Sequence, residues 1–275
     1  MRRERQVFVW VGGVIVAALI LVAIAAPLIA PFDPRAASGP SLSPPSAAHL
    51  LGTNDAGQDI LSQLIWGARA AVVVAFLAAA IAVALGVAVG GAAGLLGGRT
   101  DFVVMRLVDV FLAIPMLPLL ILVAALAGPS RTTLIPLIGL AAWPSVARVV
   151  RSQVLTLAGR GYIEAARGFG SGRLYVIRRH LVPVLVPIAA ANFVYWSGTA
   201  VVMQAGLGFL GLNDPTEVSW GSVVNRALGH QGIYFTSEWL WWLLPAGLAI
   251  TAAAIGLAFL GVGLEPRANP RWRRA

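Results

Sequence analysis

GYIEAARGFGSGRLYVIRRHLVPVL, residues 161–185, carries Glu164, Arg167, Arg173, Arg178 and Arg179, with His180 beside them and four glycines. The surrounding chain is built otherwise: of 275 residues, 59% are hydrophobic and only 11% charged, and the mean hydropathy is +0.84. A soluble domain is about 45–50% apolar and about 25% charged, so the composition places the chain in the membrane class. Charge gathered at one place in such a chain marks a segment held outside the bilayer.

Outward from this segment, apolar runs long enough to cross a bilayer core, which takes about 20 residues, fall at 7–29, 69–96, 103–127, 133–150, 183–205 and 240–264. Pro136 and Pro144 are candidate kinks in the fourth. The first run follows MRRERQ and resembles a signal peptide at its start. Its apolar stretch exceeds the about 7–15 residues of a signal h-region, so it reads as an uncleaved span. Six crossings with an inner N-terminus put both termini and the loops 97–106 and 151–182 on the cytoplasmic side. Of the twenty cationic side chains, all of them arginine, only Arg35, Arg69, Arg131 and Arg226 then fall on the other side. That asymmetry is the positive-inside pattern. It accounts for the net charge of +9 without nucleic acid as a partner.

Several chemistries are excluded. Without cysteine there is no disulfide, thiolate catalysis or Cys-ligated metal. Without lysine there is no P-loop lysine and no Schiff base, so the chain is not its own conventional ATPase. The spans hold almost no ionisable groups, unlike those of secondary transporters and proton pumps. Asp109 stands three residues from Arg106, which predicts a local ion pair. Asn192, Tyr195 and Gln204 in the fifth span are polar and neutral. They read either as interhelical hydrogen-bonding groups or as the lining of a substrate path. His49, His180 and His230 are scattered and show no metal-ligand spacing, so no metal site is expected. Nothing here supplies energy, and any transport needs a partner that does. The external segments 30–66 and 206–239 are too long for simple turns and too apolar for disorder, which points to a functional role.

Within the charged loop, Tyr162–Arg167 forms a short helix that Gly168, Gly170 and Gly172 interrupt. A second helix begins near Arg173, with Leu174, Ile177, Leu181 and Leu185 on one face. Pro183 and Pro187 mark entry to the fifth span. The thin, Ala-rich first helix suits docking into a cleft, while the bland reading is a solvated loop against anionic lipid.

These residues resemble a known family. Glu164, Ala165, Ala166, Gly170 and Pro183 match the EAA loop (EAA-x3-G-x9-I-x-LP) of ABC-importer membrane subunits, with His180 at the isoleucine and Val182 at the leucine position. HLLGTNDAGQDILSQLIWGAR (49–69), RLVDVFLAIP (106–115), GFLGL…SWG (208–221) and WWLLPAGLAI (241–250) are similar to segments of the dipeptide/oligopeptide branch, second permease type. The resemblance covers roughly 49–265. Asn54 and Gln58 replace the usual Asp and Arg, Gln204 a common Glu, and Val184 a frequent Asn.

The resemblance implies an all-α integral membrane protein with six transmembrane helices and a type I ABC importer permease fold. Residues 1–66 would form an N-terminal helix plus extracytoplasmic segment, 67–265 the permease core with coupling loop 151–182, and 266–275 a basic cytoplasmic tail. The implied function is peptide translocation, with haem, nickel chelate or another small solute as alternative cargo. A channel or scaffold with a lipid- or protein-binding loop belongs to a different class. Tyr162, Glu164, Ala165, Ala166, Arg167, Gly168, Gly170, His180 and Pro183 would couple to the ATPase. The implied partners are a second permease subunit, two ATPase subunits or domains, an extracytoplasmic binding protein and membrane lipid. This chain would be non-catalytic and hold no cofactor, with ATP and Mg on the ATPase subunits. Its place would be the bacterial or archaeal inner membrane.

Overall fold

The computed structural model describes residues 2–268, with the side chains of all but 2–5, 164, 167, 173 and 264–268. The tail residues 269–275, and the side chains of Glu164 and Arg167, therefore lie outside the described residues. Ten α-helices follow one another: α1 (Arg2–Ile29), α2 (Ile60–Leu96), α3 (Gly98–Ala113), α4 (Met116–Ala127), α5 (Arg131–Ala158), α6 (Gly161–Gly168), α7 (Arg173–Val176), α8 (Val182–Phe209), α9 (Trp220–Gly229) and α10 (Leu243–Ala268). Five are long and apolar enough to span a membrane alone, once α8 is taken with the helical turns before it, and α3 with α4 makes a sixth, bent span.

The bend is the main departure from six straight crossings. The third expected span, 103–127, breaks at Ile114–Pro115, and its halves meet at 80°. Proline has no N–H to continue the ladder and pushes the preceding residue to extended backbone. Ile114 and Pro115 accordingly have ψ of 125° and 120°. By contrast α5 runs unbroken through Pro136 and Pro144.

Helix α2 starts at Ile60, nine residues before the expected 69. The Asp59 carboxylate caps it by accepting from the Ser62 backbone N–H at 2.8 Å, the stabilising job of an N-cap acid. The second loop helix runs from Arg173 through a π-helical turn, Ile177–Leu181, into α8 without a break at Pro183. A π-turn inserts one residue, so the buried face reads Val176, Leu181, Leu185, Ile188. The step from 176 to 181 is five residues instead of four. Leu174, placed on the apolar stripe by the sequence, is 59% exposed.

Helices gain no hydrophobic drive from one another in lipid, so close packing and small residues hold them together. The most extensive pairing is α2 with α5, where Gly86, Gly90 and Gly94 recur every fourth residue on the buried side of α2. Helix α1 lies antiparallel to α10: Gly256 faces Ile15 and Gly263 faces Val9. Its outer face (Leu21, Ile24, Leu28) is exposed, as a lipid-facing surface is.

Candidate functional site

Helix α6 follows α5 after two residues and is pinned by one side chain. Ile163 is fully buried among Val154, Leu157, Val176 and Leu181. The next turn faces away, with Ala165 exposed and Ala166 half-buried. Phe169 N–H makes the last i→i−4 bond, to Ala165 O, and Ser171 N–H closes a Schellman turn on Ala166 O, both at 3.0 Å. Gly170 supplies the left-handed residue that this turn needs, at φ +84°. Phe169, carried on the turn, is 91% exposed. Half-buried His180 sits between the Tyr162 and Tyr175 rings, at 5.5 and 5.7 Å. Tyr162, Ala165, Ala166, Gly168, Gly170 and His180 thus gather at the end of α5 that leads into α6. Pro183 belongs instead to the first turn of α8. Phe169 escaped sequence reading because an isolated aromatic on a turn carries no periodic signal.

Two ion pairs brace this end. The Arg151 guanidinium grips Asp101 with two hydrogen bonds, and Arg148 pairs with Asp109. Asp109 also lies 3.8 Å from Arg106, so the expected local pair exists but the shorter bond goes to α5. These arginines therefore clamp α3 to α5, a role that a count of cytoplasmic charge does not reveal. The Asp101 side chain is 14% exposed, and removing one partner of such a pair leaves the other charge stranded. Asp101→Asn is expected to destabilise the chain by about 1–3 kcal/mol. The reversed pair, Asp101→Arg with Arg151→Asp, should recover part of that loss in thermal unfolding. Recovery of none of it would sink the clamp.

The polar residues of the fifth span divide. Asn192 and Tyr195 line a cleft of about 550 Å³ between α8 and α10, with Thr199, Val149, Leu257 and Gly261. Asn192 Nδ2 donates to Ile188 O of its own helix at 2.9 Å, so of its two readings the cleft lining fits and the interhelical bond does not. Tyr195 is 64% exposed. Gln204 stands apart: it lies about 18 Å from Asn192 along the helix, buried beside Arg131, Asn213 and Glu217.

At the opposite end a part-buried amide network stands where the resemblance has Asp and Arg. Asn54 Nδ2, Gln63 Nε2 and Arg226 Nη1 all donate to Gln58 Oε1, at 2.8, 3.0 and 2.9 Å. Arg226 also pairs with Asp55 at 2.6 Å. Arg131, at the start of α5, pairs with Glu217 at 2.6 Å. Hydrogen bonds from Thr216, then the nearby Arg131, hold the Asp214 carboxyl below its usual range. Arg35 donates to Thr216 O at 2.9 Å. Of Arg35, Arg69, Arg131 and Arg226, Arg69 alone has no carboxylate partner among the described residues, and its guanidinium lies over the Trp66 ring at 5.5 Å.

Comparison with known proteins extends this geometry. Residues 82–274 match the family described as binding-protein-dependent transport system inner membrane component, and residues 5–46 match the N-terminal TM domain of oligopeptide transport permease C. The chain is 33% identical over 262 residues to the probable D,D-dipeptide transport system permease protein DdpC of Escherichia coli (strain K12), covering 94% of this chain and 86% of the relative. It is 35% identical over 274 residues to the probable peptide ABC transporter permease protein y4tQ of Sinorhizobium fredii (strain NBRC 101917 / NGR234), covering 98% and 91%. Inward facing conformations of the MetNI methionine ABC transporter superpose with TM-scores of 0.53 and 0.55 at 18% identity, covering 73% of this chain and 97% of that chain. The bent six-span helical fold with α6 at one end, and the match over residues 82–274, place the chain in the family of binding-protein-dependent transport system inner membrane components.

Proposed function

We propose that the chain is the second permease subunit of an ATP-driven peptide importer in the inner membrane, with both termini in the cytoplasm. The observation that carries this reading is α6: a short helix anchored by Ile163 and offering Tyr162, Ala165 and Phe169 outward. An ATPase subunit would receive it in a groove, with Glu164 and Arg167 setting its orientation. Closure of two ATPase subunits on ATP and Mg would carry α6, and with it α5, between two arrangements. The cargo would pass along the Asn192–Tyr195 cleft, at the seam with a second, related permease. A binding protein resting on 30–66 and 206–239 would deliver it. The dipeptide and peptide names of the relatives support peptide as cargo. A state that binds one partner better supplies the bias for the cycle.

The test is reconstitution of the chain with its second permease, ATPase subunits and binding protein in proteoliposomes. ATP hydrolysis should rise several-fold with peptide-loaded binding protein, with uptake of labelled peptide. Equal hydrolysis with and without loaded binding protein would overturn the importer reading. Stimulation by a non-peptide cargo alone would overturn only the peptide assignment.

A further inference from the structure

Arg69 is the outer arginine left without a carboxylate, and it stands in a cleft. The cleft holds about 680 Å³ and is lined by the apolar Pro27, Phe32, Trp66 and Ala70 together with Arg35, Arg69, Arg131, Asp33 and Glu217. Three cations against two carboxylates leave one positive charge in excess. The depth of the cleft is fixed by α1. Its apolar run ends at Ile29, and Pro27 and residues 30–35 line the cleft, so the site lies at the outer boundary of the hydrocarbon core. Trp and Arg are the side chains that settle at this boundary.

We propose that this cleft is a phospholipid site, with the Arg69 guanidinium donating to the phosphate diester. A guanidinium fits phosphate with two parallel bonds, and the diester's single negative charge matches the excess. Below the cleft, α1 exposes Leu21, Ile24 and Leu28 at 66, 72 and 88%, a surface along which acyl chains lie. Transported peptide is disfavoured as the occupant, because the cleft shares no lining residue with the one holding Asn192 and Tyr195. The inference rests on the spans and not on the cargo.

The test uses the whole importer complex, purified and delipidated, with phosphatidylglycerol added back and counted by native mass spectrometry. Arg69→Gln should lose the tightest lipid adduct, weakening it about tenfold or more, while Arg99→Gln on the opposite side leaves it in place. Trp66→Leu, which keeps the charge but removes the ring beneath it, should weaken the same adduct and serves if Arg69→Gln fails to assemble. Equal retention in wild type and the variant that assembles would overturn the proposal. Displacement of the lipid by inorganic phosphate or by a dipeptide would overturn it in favour of a site for soluble anions.

Discussion

Gly90→Leu is expected to prevent this chain from folding into its helical bundle, and Gly90→Ala to destabilise it by at least about 1–3 kcal/mol, the usual cost of overpacking. A Cβ at Gly90 would lie 2.2 Å from the Ala147 carbonyl oxygen and 2.8 Å from its Cα. Both are backbone atoms, which no rotamer change can move aside. One turn to either side the spacing repeats: Gly86 would meet Val146 Cβ at 2.4 Å and Gly94 would meet Val154 Cβ at 2.9 Å. Packing is the main force joining helices in lipid, so loss of this approach removes what holds α2 to α5. Gly91 is the control. Nothing lies within 4 Å of a Cβ placed there, and Gly91→Ala should be neutral or gain up to about 1 kcal/mol from helix propensity. Retention of a monodisperse size-exclusion peak after stepwise heating measures all three. A Gly90→Leu variant as heat-resistant as wild type would refute the close approach.

Phe169→Ala is expected to leave the chain's own stability unchanged and to lower peptide-stimulated ATP hydrolysis about tenfold or more. At 91% exposure the ring makes little contact within the chain, so truncation costs folding almost nothing. A bare aromatic on a water-facing turn is the kind of side chain that anchors a protein interface, where such residues carry 2 kcal/mol or more by typical alanine scans. Gly170→Leu differs instructively, because a side chain at φ +84° strains the turn by about 1–2 kcal/mol. Its phenotype would mix misshapen turn with lost docking. Unaltered stimulation in a fully assembled Phe169→Ala complex would remove Phe169 from the contact.

The spans were legible because apolar runs of bilayer length have few other readings, and the EAA spacing pointed to α6. The rest was hidden for particular reasons. Ile114–Pro115 announces a break, but the 80° turn is set by what α3 and α4 pack against. The π-turn changes register by one residue, which periodicity counted from Arg173 cannot register, so Leu174 was placed inside. Gly86, Gly90 and Gly94 dissolve into an Ala- and Gly-rich run, and only the partner backbone distinguishes them from Gly91. Asp109 had a plausible neighbour in Arg106, whereas its shorter contact is 39 residues away in Arg148. In the sequence nothing separates Arg69 from Arg35, Arg131 and Arg226; the carboxylates beside those three come from the fold.

The unbroken course of α5 has a mechanical consequence. Its close contacts with α2 run from Gly139, which faces Ile81 and Ala78, through Ala147, which faces Gly90, to Val154, which faces Gly94. Leu134 and Ile138 extend the contact toward the start of the helix. Held along most of its length, α5 moves together with α2 as one rod and does not pivot on it. A displacement of α6 is then carried undiminished to the Arg131–Glu217 pair at the other end of α5.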